Sequence, residues 1–184
     1  MKKIILLFAV ILFTLVQLSA QETTFSKGDK ALNLGIGFGS TWYSGTFYHS
    51  TVPPISASLE FGVADNVIEK GSIGVGPYLG YSAYKWEYSG WGYKYTNVLI
   101  GIRGNFHYPL VDKLDTYAGL LLGYNVVSSK EYGTIGIYDY TASGSALRSA
   151  GFIGARYYFK ETFAVMAELG YGVTYLNLGI ALKF

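Results

Sequence analysis

The feature that most constrains this chain is a hydrophobic pattern of period two. From about residue 31 to residue 184, eight segments alternate apolar residues with small or polar ones, and none of them has a sustained helical period. Successive side chains of a β-strand point to opposite faces, so this alternation is typical of strands with one apolar face. The sequence therefore predicts an all-β chain of eight strands. The last segment shows the pattern clearly: Leu176, Leu178, Ile180, Leu182 and Phe184 alternate with Asn177, Gly179, Ala181 and Lys183.

The connections between these segments alternate in length, which predicts an antiparallel up-and-down meander. Short polar turns are expected at residues 64–71, 109–115 and 160–162. Longer loops are expected at residues 43–54, 85–95 and 128–145, and the connection near Thr174 is a short exception. Short turns would thus lie at one end of the sheet and most long loops at the other.

The two faces of the predicted strands differ in chemistry, and this difference decides which face points inward. One face is a nearly continuous set of Leu, Ile, Val, Phe and Tyr, whereas the other carries Gly, Ser, Asn and a few charges. A soluble barrel would expose the second face, but interior strand glycines are unfavourable there because they cost backbone entropy without packing. With the apolar face toward lipid, every backbone polar group needs a partner, and only a closed barrel provides one. The sequence predicts an eight-stranded antiparallel up-and-down transmembrane β-barrel.

Four charged residues are predicted to face the lumen: Glu60, Arg103, Arg156 and Glu168. The interior of an eight-stranded barrel is just filled by its side chains, so an unpaired ion there would be costly. We expect the four to form one ion-pair network near the middle of the barrel. Pro77 lies in the middle of a predicted strand and lacks a backbone donor, which predicts a bulge at that position.

Aromatic residues cluster near both ends of the predicted strands, as expected for girdles at the two bilayer interfaces. The loop-end set is Trp42, Tyr43, Tyr84, Trp86, Tyr95 and Tyr175. The turn-end set is Phe61, Phe106, Tyr108, Phe159, Phe163 and Phe184.

The first twenty residues have the layout of a secretory signal peptide. Two lysines precede an apolar run from Ile4 to Val16, and Ser19 and Ala20 supply small residues for cleavage. We predict a signal peptide at residues 1–20 and a barrel at residues 21–184, with an uncleaved anchor helix as the alternative. The chain has no cysteine and two histidines far apart, so no metal site or cofactor is expected. A net charge of +2 without a basic run indicates no nucleic-acid partner.

The export signal, the eight amphipathic segments and the final alternating segment resemble the small outer-membrane β-barrels. The similarity is to the OmpA transmembrane domain, OmpX and the opacity-protein-like barrels. Residues 76–81 and 117–119 are similar to the outer membrane protein beta-barrel domain family. The resemblance implies a monomer in the outer membrane, in contact with its lipid and lipopolysaccharide. It also implies that the barrel-assembly machinery reads a C-terminal signal at Leu178, Ile180, Leu182 and Phe184.

The predicted function is a non-enzymatic structural or adhesin-like role, carried by aromatic extracellular loops. The segment 85–95 contains Trp86, Tyr88, Trp91 and Tyr93, and such rings supply contact area at low entropy cost. An extracellular protein or glycan is the expected partner. The alternative for these rings is a place in the lipopolysaccharide headgroup layer.

Two other functional classes remain open at this stage. Inward glycines would leave room for a narrow pore, including an OmpW-like route for apolar solutes. A lipid-modifying enzyme would need a histidine near the outer rim, and His49 beside Ser50 is the candidate. Glu87, Glu131 or Asp139 could orient that histidine, but no motif fixes the set. We therefore predict no enzymatic activity and no catalytic residues.

Overall fold

The structure is a computed structural model that describes residues 24–43, 45–133 and 144–184. The predicted signal peptide lies outside these residues. Each strand pairs antiparallel with the next, and β1 pairs with β8, so the sheet closes into an up-and-down barrel as predicted. No helix long and apolar enough to cross a membrane occurs in the described part of the chain. The eight strands are β1 Lys30–Phe38, β2 Tyr48–Ala64, β3 Ser72–Tyr88, β4 Trp91–Val111, β5 Leu114–Tyr132, β6 Ala146–Lys160, β7 Phe163–Tyr171 and β8 Leu176–Lys183.

The orientation of the two strand faces agrees with the sequence argument. On the outer face Leu34, Ile100 and Leu178 are 39%, 58% and 44% exposed. On the lumen face Arg103 and Glu168 are only 5% and 6% exposed. The apolar side chains therefore form a belt around the outside, and the polar ones fill the interior.

The hairpin between β3 and β4 corrects the predicted long loop at residues 85–95. The two strands pair without a break up to Tyr88 opposite Trp91, so only Ser89 and Gly90 form the turn. Both turn residues have positive φ, 51° and 81°, as in the type I′ turns that suit the twist of a hairpin. The alternation of aromatic residues continues through this segment. That alternation indicates a strand rather than the loop we expected.

The strands differ in length, which makes one side of the barrel taller. β2, β3, β4 and β5 have 17, 17, 21 and 19 residues, whereas β1, β7 and β8 have 9, 9 and 8. The extra length lies at the end opposite the short turns. β2 and β5 therefore occupy part of the predicted loops at residues 43–54 and 128–145. We call the end of the barrel that carries these extensions the tall end.

The predicted bulge at Pro77 is wrong. β3 and β4 pair without interruption through this residue. On the β2 side the register is the same before and after it, with Ser58 opposite Tyr78 and Phe61 opposite Val75. Pro77 lacks a backbone N–H and so removes one hydrogen bond from the ladder. A bulge requires an extra residue in one strand, which a missing hydrogen bond does not provide. The irregular pairing falls instead between residues 50 and 55 of β2, where two prolines stand in succession, and between Gly62 and Ala64 at the other end of that strand.

The turn-end aromatics lie on the outer face, as a girdle there requires, but most of the predicted loop-end girdle is on the lumen face. Phe61, Phe159 and Phe184 are exposed on the outer face at the turn end. Tyr84, however, is buried on the lumen side. The residues two positions away from it on β3, and the residue directly opposite it on β4, lie on that same side. The face of a residue depends on its parity, that is, on whether it is an even or odd number of positions from a known lumen residue. The predicted girdle took into account only how near these aromatics lie to the ends of the strands. The outward aromatics toward the tall end are Phe38, Tyr81, Tyr124, Tyr171 and Tyr175.

Candidate functional site

The first lumen cluster lies around Glu168. Arg103 donates to Glu168 Oε1 across 2.6 Å, and Tyr117 donates its hydroxyl to the same oxygen across 2.8 Å. Asn177 donates to the other carboxylate oxygen across 2.9 Å. The Arg103 guanidinium also lies 4.2 Å from the ring centroid of Phe152. Glu168 is therefore an ion held by three donors, as burial of a charge requires.

The second lumen cluster lies nearer the turn end, around Arg156. This fully buried guanidinium pairs with Glu60 through Nη2 and with Asp115 through Nη1, the latter across 3.2 Å. His107 lies between the same carboxylates, with Nε2 2.7 Å from Glu60 and Nδ1 2.8 Å from Asp115. Asn105 adds a donor to Glu60 across 2.6 Å. Ionised carboxylates only accept hydrogen bonds, so the His107 ring satisfies both of them when it carries two protons.

The four charges predicted for the lumen thus form two ion pairs rather than one central network. Tyr117 links the pairs, because its hydroxyl binds Glu168 and its ring centroid lies 4.7 Å from the Arg156 guanidinium. We missed His107 and Asp115 as members. The signal for Asp115 was its position two residues before Tyr117. Residues two apart in a strand share a face, so both lie on the lumen face. With these two members, three carboxylates face two guanidinium groups and one imidazolium.

The segment before β1 closes the lumen at the turn end, and we call residues 24–29 the N-terminal plug. Phe25 is 2% exposed and stacks on His107 with ring centroids 4.5 Å apart. Ser72 donates its hydroxyl to the carbonyl of Phe25 across 2.7 Å, and Lys183 donates to the carbonyl of Thr24 across 3.0 Å. An apolar ring thus covers the second charge cluster. We did not predict this plug, and a lone phenylalanine ahead of the first strand was its only signal.

A small cavity lies above the charge clusters. Its volume is about 40 Å³, and its lining includes Tyr78, Arg103, Phe152 and Glu168. This is room for only a few water molecules, because one water needs at least about 10–15 Å³ of such volume. The interior is therefore packed at this level rather than open.

The lumen face of the long strands continues beyond the barrel as a surface of aromatic rings, which we call the aromatic wall. Cross-strand pairing places Trp86 opposite Tyr93, and Tyr88 opposite Trp91. Neighbouring rings meet at angles that aromatic pairs favour, such as the perpendicular Trp86 and Trp91 with centroids 5.6 Å apart. The structure thus brings the four predicted interaction residues together, on strands rather than in a loop. The wall comprises Tyr48, Tyr84, Trp86, Tyr88, Trp91, Tyr93 and Tyr95, with Tyr43 and Phe47 from the β1–β2 connection.

The aromatic wall is anchored to polar groups of the barrel. Tyr43 stacks on Tyr84 with centroids 4.4 Å apart and donates its hydroxyl to Asn97 across 3.1 Å. Trp91 donates its indole N–H to Glu131 of β5. Tyr88 and Phe47 are exposed at the free edge. The wall therefore combines a fixed base with an accessible rim.

Comparison with solved structures finds the same architecture in bacterial outer membranes. The N-terminal β-barrel domain of Pseudomonas aeruginosa OprF aligns with a TM-score of 0.52 and 13% identity, covering 87% of this chain and 100% of that one. Ail, the attachment invasion locus protein of Yersinia pestis, aligns with a TM-score of 0.53 and 12% identity, covering 86% and 99%. This chain has the fold of a small outer-membrane β-barrel. Ail in complex with the heparin analogue sucrose octasulfate gives a TM-score of 0.54 at 13% identity, with the same coverage. No family model and no curated protein matches the sequence.

The residues considered for catalysis in this barrel do not converge. His49 lies opposite Lys85 on the outer face, and Ser50 follows it opposite Tyr84, whose side chain is on the lumen side. Consecutive residues of a strand point to opposite faces, so His49 and Ser50 point apart. Glu131 contacts Trp91 in the aromatic wall. Asp139 lies outside the described residues.

Glu87 lies on the outer face, beyond the apolar belt. It forms an ion pair with Lys85 and accepts a hydrogen bond from the Tyr132 hydroxyl across 3.0 Å. These two donors, Lys85 first, hold the pKa of Glu87 below its usual value. Glu87 thus acts as the counter-ion of Lys85. Among the described residues, no group of three or more His, Asp or Glu side chains is arranged to hold a metal ion.

Proposed function

We propose that this chain is an integral barrel of the bacterial outer membrane, exported by residues 1–20 and inserted with its tall end outward. The outer face of apolar side chains supports this, because such a surface is stable against acyl chains rather than water. The turn-end aromatics and the shared fold of outer-membrane barrels support it as well. Leu178, Leu182 and Phe184 are exposed on the same outer face, where an assembly factor can contact a C-terminal signal.

We propose further that the barrel is a non-enzymatic surface-interaction protein and that the aromatic wall binds an extracellular glycan or protein. The observation that carries this proposal is the orientation of the rings. Trp86, Tyr88, Trp91 and Tyr93 lie on the continuation of the lumen face, so they are directed away from the surrounding headgroups. This disfavours the alternative that they belong to the lipopolysaccharide headgroup layer. Flat rings with one polar atom suit both sugar faces and protein hot spots.

The binding proposal is tested with the folded barrel in lipid nanodiscs. Fluorescent nanodiscs are applied to an array of defined oligosaccharides and to immobilised extracellular-matrix proteins. We expect binding that falls at least about tenfold in the double variant Trp86→Ala, Tyr93→Ala, because a tenfold loss is about 1.4 kcal/mol and one buried aromatic anchor at an interface is commonly worth more than that. The matched control is Tyr124→Ala, which removes an exposed ring from the outer face of β5.

Several results would contradict the proposal: no binding by the wild type to either surface, equal binding by the double variant, or an equal loss in the control. Heat-modifiable gel mobility of each preparation shows that the barrel is closed. If the double variant fails to close, Tyr88→Ala at the exposed edge replaces it. Mobility unchanged by heating in the wild type would instead count against the membrane barrel itself.

A conducting pore is disfavoured in this proposal by the N-terminal plug. Phe25 fills the turn-end mouth, and ion pairs cross the lumen above it. We therefore expect no solute-sized conductance from the wild-type barrel in planar bilayers. A stable open state in that measurement would make a conduit the better assignment.

A further inference from the structure

Four basic residues lie side by side on the outer face of the tall end. The register places His49 of β2 opposite Lys85 of β3, Lys85 opposite Lys94 of β4, and Lys94 opposite Lys130 of β5. Neighbouring strands are about 4.8 Å apart, so the set spans roughly 14 Å. We call Lys85, Lys94 and Lys130, with His49 at the edge, the basic row. Lys85 and Lys94 face each other across the β3–β4 hairpin, and pairing with β2 and β5 adds His49 and Lys130 from more distant parts of the chain.

The basic row follows the upper border of the apolar belt. The last continuous apolar row on these strands is Tyr81, Val98 and Val126, paired in register. One row of small or polar residues separates it from the lysines: Ala83, Thr96 and Ser128. In a membrane-inserted barrel the lysines thus stand where acyl chains give way to headgroups, and their flexible side chains can reach toward that boundary.

The basic row is incompletely neutralised by the protein. Lys85 pairs with Glu87, and both Lys85 and Lys94 approach the Tyr132 ring, with Nζ 4.6 and 5.6 Å from its centroid. Within residues 24–43, 45–133 and 144–184, no carboxylate forms an ion pair with Lys94 or Lys130. Like charges directly opposite each other on paired strands destabilise a sheet. An anion seated across the row would remove this repulsion.

We propose that the basic row binds the phosphate groups of phosphorylated glycolipid headgroups in the outer leaflet. Lysine ammonium groups are compact cations that bind phosphate as point charges. The width of the row allows contact with more than one phosphate of a single headgroup. The inference rests on the proposed membrane insertion and is independent of the aromatic wall, which lies on the opposite face of the same strands.

The test measures lipid binding to the folded full chain in neutral detergent by native mass spectrometry. The probe is diphosphorylated lipid A, compared with the same lipid lacking phosphate and with competing inorganic phosphate. The variant Lys85→Gln, Lys94→Gln, Lys130→Gln removes the row. The matched control Lys70→Gln, Lys113→Gln, Lys160→Gln removes the same charge at the turn end.

We expect each lysine of the row to contribute about fivefold to the affinity, so the triple variant binds diphosphorylated lipid A roughly 100-fold more weakly. The control is expected to stay within about threefold, because its lysines lie at the other end of the barrel. Lipid without phosphate should bind the wild type as weakly as the triple variant binds the phosphorylated lipid. Millimolar inorganic phosphate should not displace the lipid, since a free ion lacks the second phosphate and the acyl anchor.

Four results would overturn the inference: unchanged affinity in the triple variant, an equal loss in the control, equal binding of the lipid without phosphate, or displacement by millimolar inorganic phosphate. If the triple variant does not close into a heat-modifiable barrel, Lys94→Gln and Lys130→Gln are measured singly, with about fivefold expected for each. A wild-type chain that does not close would refute the membrane barrel instead, so the two failures are distinct.

Discussion

Arg156→Met is the substitution that most directly probes the lumen. Arg156 is fully buried and pairs with both Glu60 and Asp115, whereas His107 is the other cation in contact with those carboxylates. Removing the guanidinium leaves two carboxylates facing one imidazolium. Breaking a buried ion pair from one side costs about 3–5 kcal/mol, because the remaining charge has no compensation. We expect the free energy of unfolding to fall by that amount.

The measurement is urea unfolding of the refolded barrel in phospholipid vesicles, followed by tryptophan fluorescence and by heat-modifiable gel mobility. Arg148→Met on the same strand is the control. Arg148 is exposed and its guanidinium lies 5.5 Å from the Trp42 ring, so its loss should cost less than about 1 kcal/mol. Adding Glu60→Gln to Arg156→Met leaves Asp115 with His107. This double variant should recover at least half of the lost stability.

The reasoning is refuted if Arg156→Met and Arg148→Met cost the same. It is also refuted if Glu60→Gln lowers the stability of Arg156→Met further. In either case the stabilisation that Arg156 contributes would come from packing of its side chain. It would not come from charge balance among the six ionisable groups of the lumen.

Three further predictions concern the plug, a glycine and the outer ion pair. Phe25→Ala should cost about 3–5 kcal/mol in the same urea assay and raise conductance in planar bilayers; no change in either would refute the sealing role. Gly154→Ala should cost about 1–3 kcal/mol, because a Cβ there would lie 2.6 Å from a tyrosine ring carbon, whereas Gly151→Ala on the same strand should be near neutral with its nearest neighbour 3.7 Å away. Equal effects would refute the steric argument. Lys85→Gln should raise the pKa of Glu87 toward its usual value in an NMR titration, and an unchanged pKa would contradict the pairing.

Several properties of the barrel could be predicted because they depend on neighbours in the chain. Parity alone places Arg103, Arg156 and Glu168 on the same face as the glycines. The Ser89-Gly90 turn was equally local, and we missed it only because we gave the aromatic composition of residues 85–95 more weight than its alternation. The wrong loop-end girdle has the same origin, since parity already placed Tyr84 on the lumen side.

The pairings inside the lumen could not be predicted in this way. Glu60 and Arg156 are 96 residues apart, and Arg103 and Glu168 are 65 apart. Period two fixes the face of each residue, but the contacts across a barrel depend on how far each strand slides against the next before the sheet closes. The sequence by itself thus determined eight strands, their order and their inward face. Only closure decided which charges meet, because it sets the height of every residue relative to strands far away in the chain.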